Sequence, residues 1–352
     1  MKNKIIGIVI LVLVIVAGGG YYFYQNQSQV TCLNGYLGGE KIGLFEDEEV
    51  KDILKKKYHI EFQYARAGSL DMVTADQTGR DYLFPSSQTA LEYYEDTYGK
   101  PQSEEIIFNT PIVLYTHKMV SDALLKEGIV TQRDGVYYAD MKKLTELILS
   151  GASWSDIGLT QLYGSISVDT TDPARSNSGN MFAALLANVL YDGKTVGYDG
   201  IDAILPELKE IFGRLGYMET SSSDLFNQFL RMGVGAKPII AGYESQLLEY
   251  AYEKPEEYEK IKDDIVIIYP SPTVWSTHIY IALNENGKKG IEALSDEEIQ
   301  QLAWEKHGFR TSSYGITLNR ENIQVQGVPE QITSVINMPD YAVMKKIIEA
   351  LQ

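Results

Sequence analysis

The sequence contains almost no cysteine. Cys32 is the single cysteine among 352 residues, so a disulfide within one copy of the chain is excluded and the fold must rest on its hydrophobic core. No evident histidine partner accompanies Cys32 in the sequence, which argues against a cysteine nucleophile.

Histidine is also scarce, and the common catalytic motifs are missing. The four histidines stand far apart, at His59, His117, His278 and His307. They form no HExxH-type metal pair, and the sequence has neither a GxSxG nucleophile elbow nor a phosphate-binding P-loop. The catalytic alternative that remains is an acid–base pair formed by Glu244 and His278 across a cleft. We therefore predict a binding protein rather than an enzyme, with no cofactor and no metal site.

Basic residues are outnumbered by acidic ones. The chain has 31 Lys and Arg against 48 Asp and Glu, which gives a formal net charge of −17 and a pI near 4.7. A surface of this sign repels polyanions, which argues against nucleic acid or an anionic membrane surface as a partner. The acidic runs at 46–49 and 296–298 fit solvated faces of helices.

The N-terminal segment has a long run without charge. Lys2 and Lys4 precede residues 5–24, which carry no charged side chain, and a helix of this length spans about 30 Å, the thickness of a bilayer core. Aromatic residues at 21–24 fit a membrane interface. We predict that residues 1–27 are a cytoplasmic stub and a single-pass transmembrane anchor in the cell membrane, with an extracellular main body. A cleaved signal peptide is the alternative, because residues 17–20 are small.

Strand-like and helix-like segments alternate through the remainder, which is long enough for two lobes. The predicted strands cover residues 29–33, 59–64, 81–84, 106–116, 164–168, 238–241, 265–269 and 277–283. The predicted helices cover residues 42–58, 70–75, 141–149, 201–215, 223–232, 244–252, 295–307 and 341–351. Ser295 is the predicted cap of the penultimate helix. This alternation predicts an α/β fold with mostly parallel sheets covered by helices.

The most informative segment covers residues 168–190. A predicted strand ends there, a turn follows at Asp172-Pro173, and residues 176–179 read Ser-Asn-Ser-Gly immediately before an apolar, helix-like run. The start of a helix has unpaired backbone N–H groups and a partial positive charge, so it can bind an anion or a polar ligand group. Ordinary capping of the helix by Ser or Asn is the alternative.

Several motifs follow one another in an order that resembles a known family. They are Ala67-Gly68-Ser69, residues 81–87, residues 108–114, Asp172-Pro173 through Ser178, Gly242-Tyr243-Glu244, residues 269–283 and Gly308-Phe309-Arg310. From about residue 30 to about residue 317 the chain resembles the type 2 periplasmic-binding-protein fold, as in extracellular solute-binding proteins of ABC transporters, with the molybdate, sulfate and ferric-ion group as the nearest likeness. It departs from that pattern at Thr311, where the family has proline, at Leu70, where it has glycine, and in an additional segment at 322–337.

The resemblance implies two lobes that close on a ligand about a hinge. Lobe 1 would comprise residues 28–112 plus 274–352, and lobe 2 residues 113–273. The two crossover strands of the hinge would lie near residues 110–116 and 270–277.

The resemblance also implies a ligand site between the lobes. Its predicted residues are Ser69, Ser86, Ser87, Thr110, Arg175, Ser176, Asn177, Ser178 and Tyr243. Most are neutral hydrogen-bond donors, which together with helix N-termini can bind an oxyanion. Arg66 and Arg175 are nearby cations for charge-assisted hydrogen bonds, and Thr273 is a further donor at the hinge.

The implied function is capture of a small polar or anionic solute, with an oxyanion favoured, for delivery to an ABC transporter permease. The alternative is a non-transport sensor or surface interaction module with the same fold. In that case the tail 322–352 would be a contact surface, with an exposed apolar patch around Tyr341, Val343 and Ile347.

Overall fold

A computed structural model of the protein describes Val16 and residues 30–312 and 323–352. The strands are β1 (Thr31–Leu37), β2 (Ile60–Arg66), β3 (Tyr82–Phe84), β4 (Ser103–His117), β5 (Val130–Arg133), β6 (Val136–Asp140), β7 (Ile239–Tyr243), β8 (Ile265–Ser271), β9 (Trp275–Ala282) and β10 (Arg310–Thr311). The helices are α1 (Ile42–Glu46), α2 (Glu48–Lys57), α3 (Ser69–Thr74), α4 (Gln88–Tyr98), α5 (Lys118–Lys126), α6 (Met141–Leu149), α7 (Asn177–Leu190), α8 (Tyr198–Gly213), α9 (Ser222–Met232), α10 (Glu244–Glu253), α11 (Pro255–Ile261), α12 (Lys288–Leu294), α13 (Glu297–His307) and α14 (Tyr341–Leu351).

The predicted membrane anchor and the alternative signal peptide lie outside the described residues, apart from Val16. Across the part of the chain that is described, every helix is too short or too polar to cross a membrane.

Two aspartates set helix boundaries that the sequence pattern did not identify. The helix predicted over 42–58 is two helices, because the Asp47 side chain accepts hydrogen bonds from the backbone N–H groups of Glu49 and Val50 at 2.9 and 3.1 Å. Helix α13 is capped by Asp296, and the prediction of Ser295 as its cap is wrong. In both places a carboxylate satisfies N–H groups that a helix start leaves unpaired.

The sheets are mixed, and the prediction of mostly parallel sheets is wrong. Three of the nine described strand pairs are parallel and six are antiparallel. The main reason is that each of the four described partners of β4 runs antiparallel to it. The strand predicted over 164–168 is also wrong, since among the described residues this segment makes a single isolated bridge, between Ser153 and Ser165.

Strand β4 belongs to both sheets. Its residues from Ser103 to Pro111 pair with β9, whereas those from Ile112 to His117 pair with β7 and β8. The first sheet has the order β2-β1-β3-β9-β4 with β10 also on β4, and the second has the order β7-β4-β8-β6-β5. Each sheet is the centre of one lobe. The chain changes lobes within β4 and again between β8 and β9, in the regions predicted as the hinge.

The last helix, α14, packs on both lobes. Val343, Met344 and Ile347 are fully buried in the core of the second lobe. On the side of the first lobe, the Tyr341 backbone N–H donates to a Glu92 carboxylate oxygen on α4 at 2.9 Å. The prediction of an exposed apolar patch around Tyr341, Val343 and Ile347 is therefore wrong. An amphipathic pattern identifies an apolar face but does not show which neighbour covers it.

The additional segment runs along the connection between β8 and β9. Thr273 donates its backbone N–H to the Ser334 carbonyl at 3.0 Å and accepts from the Ile336 N–H at 2.9 Å. Val325 and Val328 are buried in a cluster with side chains of the second lobe. The segment is thus packed against the crossover between β8 and β9.

Candidate functional site

A cleft of about 590 Å³ lies between the two lobes. On the first lobe it is lined by the turns that follow β1 and β2, where parallel strands end at the same edge of the sheet. On the second lobe it is lined by the starts of α7 and α9 and by Tyr243 at the end of β7. Helix N-termini and strand ends from both lobes therefore face one space.

Five of the nine predicted site residues line this cleft. They are Ser69, Arg175, Ser176, Asn177 and Tyr243, and Arg66 joins them. The Ser69 hydroxyl accepts a hydrogen bond from the Ser86 N–H at 2.9 Å, which fixes its position at the start of α3.

The other four predicted residues lie behind the cleft wall. Ser178 is buried, and its hydroxyl is bonded to those of Thr171 at 2.7 Å and Ser176 at 3.1 Å. Thr110 is buried too, and its hydroxyl accepts from the Ser245 N–H at 3.3 Å. Ser86 and Ser87 are also buried. These residues support the lining, because a sequence turn shows where a loop is but not which side chains face outward.

Hydrogen bonds cross the cleft from side chains of both lobes. An Arg66 guanidinium N–H donates to the Ser221 hydroxyl at 3.1 Å. From the opposite lobe, the Asn177 amide donates to the Ser86 carbonyl at 2.9 Å and lies 3.0 Å from the Tyr243 hydroxyl. Asn177 and Arg66 thus each contact the facing lobe.

A buried ionic cluster, which no sequence pattern predicted, lies beneath the cleft. The Lys41 side chain is fully buried, and its ammonium lies 2.5 Å from a Glu40 carboxylate oxygen, 2.7 Å from the Ser86 hydroxyl and 3.2 Å from His278 Nδ1. The Ser86 hydroxyl also donates to Glu40. Glu40 reaches the cleft surface. The sequence signal at this position is the glycine pair directly before Glu40-Lys41, which indicates an unusual turn.

Titration of this cluster is shifted by burial and by charge. Burial would raise the pKa of Glu40, but the Lys41 charge and the hydrogen bonds from Lys41 and Ser86 outweigh it and lower that pKa to about 2. Burial and the Lys41 charge lower the pKa of His278 well below its ordinary value. Burial also lowers the pKa of Lys41, and the Glu40 charge opposes that shift. The geometry is that of a Glu40–Lys41 ion pair beside a neutral imidazole.

Glu244 does not pair with His278, so the acid–base alternative is wrong. Its carboxylate accepts from Arg310 Nε at 2.6 Å and Nη2 at 2.8 Å, and from the Tyr269 hydroxyl at 2.6 Å. His278 instead faces Lys41. Each of these two groups is held by a different buried network.

The cleft carries charges of both signs. Arg66 and Arg175 supply cations, and Glu40, Asp71 and Asp224 supply carboxylates. The hydroxyl-rich run 220–223 also lines it and was missed, although it has the same signature as 176–179: polar residues directly before a helix. The Ser221 hydroxyl caps that helix by accepting from the Asp224 N–H at 3.4 Å. The lining can therefore bind both hydrogen-bond acceptors and hydrogen-bond donors of a ligand. Within the described ranges, no three His, Cys, Asp or Glu side chains are placed to hold a metal ion.

Gly179 is required by close packing at the start of α7. A Cβ at this position would lie 2.0 Å from the Thr171 carbonyl oxygen. We expect Gly179→Ala to lower the free energy of unfolding by about 1–3 kcal/mol, although alanine is the better helix former. Gly213→Ala, in α8 with nothing within 4 Å of the new Cβ, is the matched control and should be neutral or stabilising. Equal urea midpoints for the two variants would contradict this packing.

Neither a protein-family model nor a curated protein matches the sequence. Solved structures do match. AfuA from Actinobacillus pleuropneumoniae, with exogenous fructose-6-phosphate bound, has a TM-score of 0.56 at 13% identity over 91% of this chain and 96% of its own. The substrate binding protein of the ABC transporter from Agrobacterium tumefaciens has a TM-score of 0.56 at 14% identity, over 93% of this chain and 96% of its own. Ferric iron-binding protein A of Mannheimia haemolytica, in an open conformation, has a TM-score of 0.53 at 17% identity, over 91% of this chain and 96% of its own. The chain thus has the predicted two-lobe fold of the type 2 periplasmic-binding proteins.

Proposed function

We propose that this protein is an extracellular solute-binding protein that captures a small anionic solute between its lobes for an ABC transporter permease. The observation that carries the proposal is the 590 Å³ cleft, which is lined by polar groups of both lobes. Its volume lies within the range of about 300–1,000 Å³ that is usual for small-molecule sites. The fold is shared with solute-binding proteins.

An anionic group is the best match to the strongest donors. The first residues of α7 and α9 line the cleft, and helix N-termini favour anions. Arg66 and Arg175 stand on opposite lobes and add charge-assisted hydrogen bonds. The Glu40 charge is neutralised by Lys41. Asp71 and Asp224 remain to accept from donors elsewhere on the solute, which favours an organic anion over a bare inorganic one.

The test is a thermal-shift screen of the full-length protein in detergent. The panel contains phosphate, sulfate, molybdate, glycerol 3-phosphate, fructose 6-phosphate and ferric citrate. A solute that binds only the folded state raises the melting temperature, and we expect the largest rise with an organic phosphate. An unchanged melting temperature across the panel would count against the function and favour the interaction module.

Arg175 gives a site-specific prediction. Loss of a charge-assisted hydrogen bond costs about 1.5–3 kcal/mol, so Arg175→Gln should weaken binding by about 10–150-fold in calorimetry. Arg133→Gln is the matched control, because its guanidinium stacks on Tyr138 at 4.8 Å outside the cleft lining. Equal losses in both variants would mean a general electrostatic effect and would remove Arg175 from the site.

The membrane anchor remains part of the proposal. It is supported by the uncharged run at 5–24 after Lys2 and Lys4. An anchor would hold an extracellular receptor at the cell surface. Recovery of the protein in the membrane fraction with its N-terminus intact would support it, and a mature N-terminus beyond residue 20 would replace it with a cleaved signal peptide.

A further inference from the structure

Asn180 has an unsatisfied side chain in the wall of the cleft region. It lies in the first turns of α7 and is 3% exposed. Within the described part of the chain, neither its Oδ1 nor its Nδ2 has a hydrogen-bond partner. A buried polar group without a partner costs about 1–3 kcal/mol. Such a group in a folded protein therefore points to something that binds it.

A second asparagine on the same helix shows the contrast. Asn188 is fully buried, its Nδ2 donates to the Asn337 carbonyl at 2.9 Å, and its Oδ1 accepts from the Val196 N–H at 2.9 Å. Asn188 thus uses both ends of its amide to hold the fold together. The Asn180 amide makes no comparable contribution, so its presence in the helix calls for another role.

Asn180 lines a side pocket of about 20 Å³ that adjoins the main cleft. The pocket is also lined by Leu70 and Pro173, and the residues that it shares with the cleft lining include Ser69, Asp71, Arg175 and Ser176. A single water needs about 10–15 Å³. The side pocket is therefore large enough for one oxygen-sized group of a ligand whose larger part lies in the cleft.

We propose that Asn180 is a specificity-determining residue that binds one hydroxyl group of the solute in this side pocket. The inference rests on the proposed function. An Asn side chain offers one acceptor and two donors, and a hydroxyl can donate to Oδ1 while it accepts from Nδ2. A carboxylate would only accept and would leave Oδ1 unpaired. An ammonium would only donate and would leave Nδ2 unpaired. The solute is then a hydroxylated organic anion.

The test uses two probes that differ in hydroxyl groups, glycerol 3-phosphate and propyl phosphate. Binding of each to the full-length protein is measured by calorimetry. We expect the protein to prefer glycerol 3-phosphate by at least about tenfold, from one or two hydrogen bonds. In Asn180→Leu the preference should vanish while the affinity for propyl phosphate is retained. Asn180→Ser, which keeps a small polar group, should retain part of the preference and guards against misfolding of the leucine variant.

Stability separates Asn180 from a structural asparagine. Asn180→Leu should leave the melting temperature unchanged or raise it, because it removes an unpaired buried amide. Asn188→Leu should lower the melting temperature, because it leaves the Asn337 carbonyl and the Val196 N–H without their partner. A large loss of stability in Asn180→Leu would assign Asn180 to the core and overturn the inference.

The binding results also separate the two proposals. If both probes bind the unaltered protein equally, or if Asn180→Leu keeps the preference, the side pocket holds only water and the inference fails while the proposed function stands. If the protein binds phosphate, sulfate or molybdate but neither probe, the hydroxylated class is wrong. If no anion binds, the proposed function itself fails.

Discussion

Replacing Arg310 by Met is expected to lower the free energy of unfolding by about 3–5 kcal/mol, because it leaves a buried carboxylate without its counter-charge. Glu244 has no exposed surface and accepts two hydrogen bonds from Arg310. The same guanidinium donates to the Pro329 and Glu330 carbonyls at 2.8 and 3.0 Å. One side chain therefore joins β10, the start of α10 and the additional segment.

Urea unfolding of three variants tests this prediction. The double variant Glu244→Met/Arg310→Met should recover most of the loss, since an apolar pair of similar size often replaces a buried ion pair at little cost. Arg231→Met, on an exposed residue that donates to the Asn227 carbonyl within its own helix, is the control and should change stability little. A double variant as unstable as Arg310→Met would mean that the loss comes from the other contacts of the pair, which are the carbonyls bonded to Arg310 and the Tyr269 hydroxyl bonded to Glu244.

Replacing Lys41 by Met is expected to cost about 3 kcal/mol at neutral pH, again by leaving a carboxylate unpaired. The value lies at the lower end of the range because Glu40 keeps 14% of its side chain exposed. Lys51→Met is the control, since Lys51 pairs with Glu46 at the surface and exposed pairs contribute about 0–1 kcal/mol. Equal effects in the two variants would contradict the buried cluster.

The pH dependence gives a second signature of this cluster. Because the pKa of Glu40 is lowered from 4.5 to about 2 in the folded protein, its stabilisation is present above pH 4.5 and is lost as the pH falls toward 2. Lys41→Met removes the charge that lowers this pKa. The loss of stability in the Lys41→Met variant should therefore be largest near pH 7 and smaller at pH 3. Urea unfolding at both pH values would detect this difference. A pH-independent difference would rule out the ion pair as the cause.

Local patterns with clear caps were predicted well from the sequence. The helices at Met141–Leu149 and Tyr341–Leu351 have the predicted bounds, and each starts after an aspartate that caps it. The β5–β6 hairpin was missed although its turn carries a recognisable signal. Asp134 and Gly135 have φ values of 50° and 79°, as the Asp-Gly pair of a tight hairpin turn prefers.

The candidate site was predicted only as far as loops and turns reveal it. The sequence placed the turns at 67–69 and 172–178, and the structure brings both to one cleft. It could not place Lys41 beside His278, because the two residues are 237 positions apart and meet only through packing of the first lobe. Nor could it show that Ser178 turns inward to Thr171. Which side chain faces a cleft depends on such distant contacts.

The shared strand β4 has a consequence for synthesis on the ribosome. The second sheet consists of residues 112–271, so all of its strands have been translated once Ser271 is added. The first sheet still lacks β9 at that moment, although β1 to β3 were translated long before. With translation at about 5–20 residues per second, the N-terminal half of β4 waits for its partner for on the order of ten seconds. The lobe that begins the chain is thus expected to finish folding last, and its unpaired strand edge is where a nascent chain would need a chaperone.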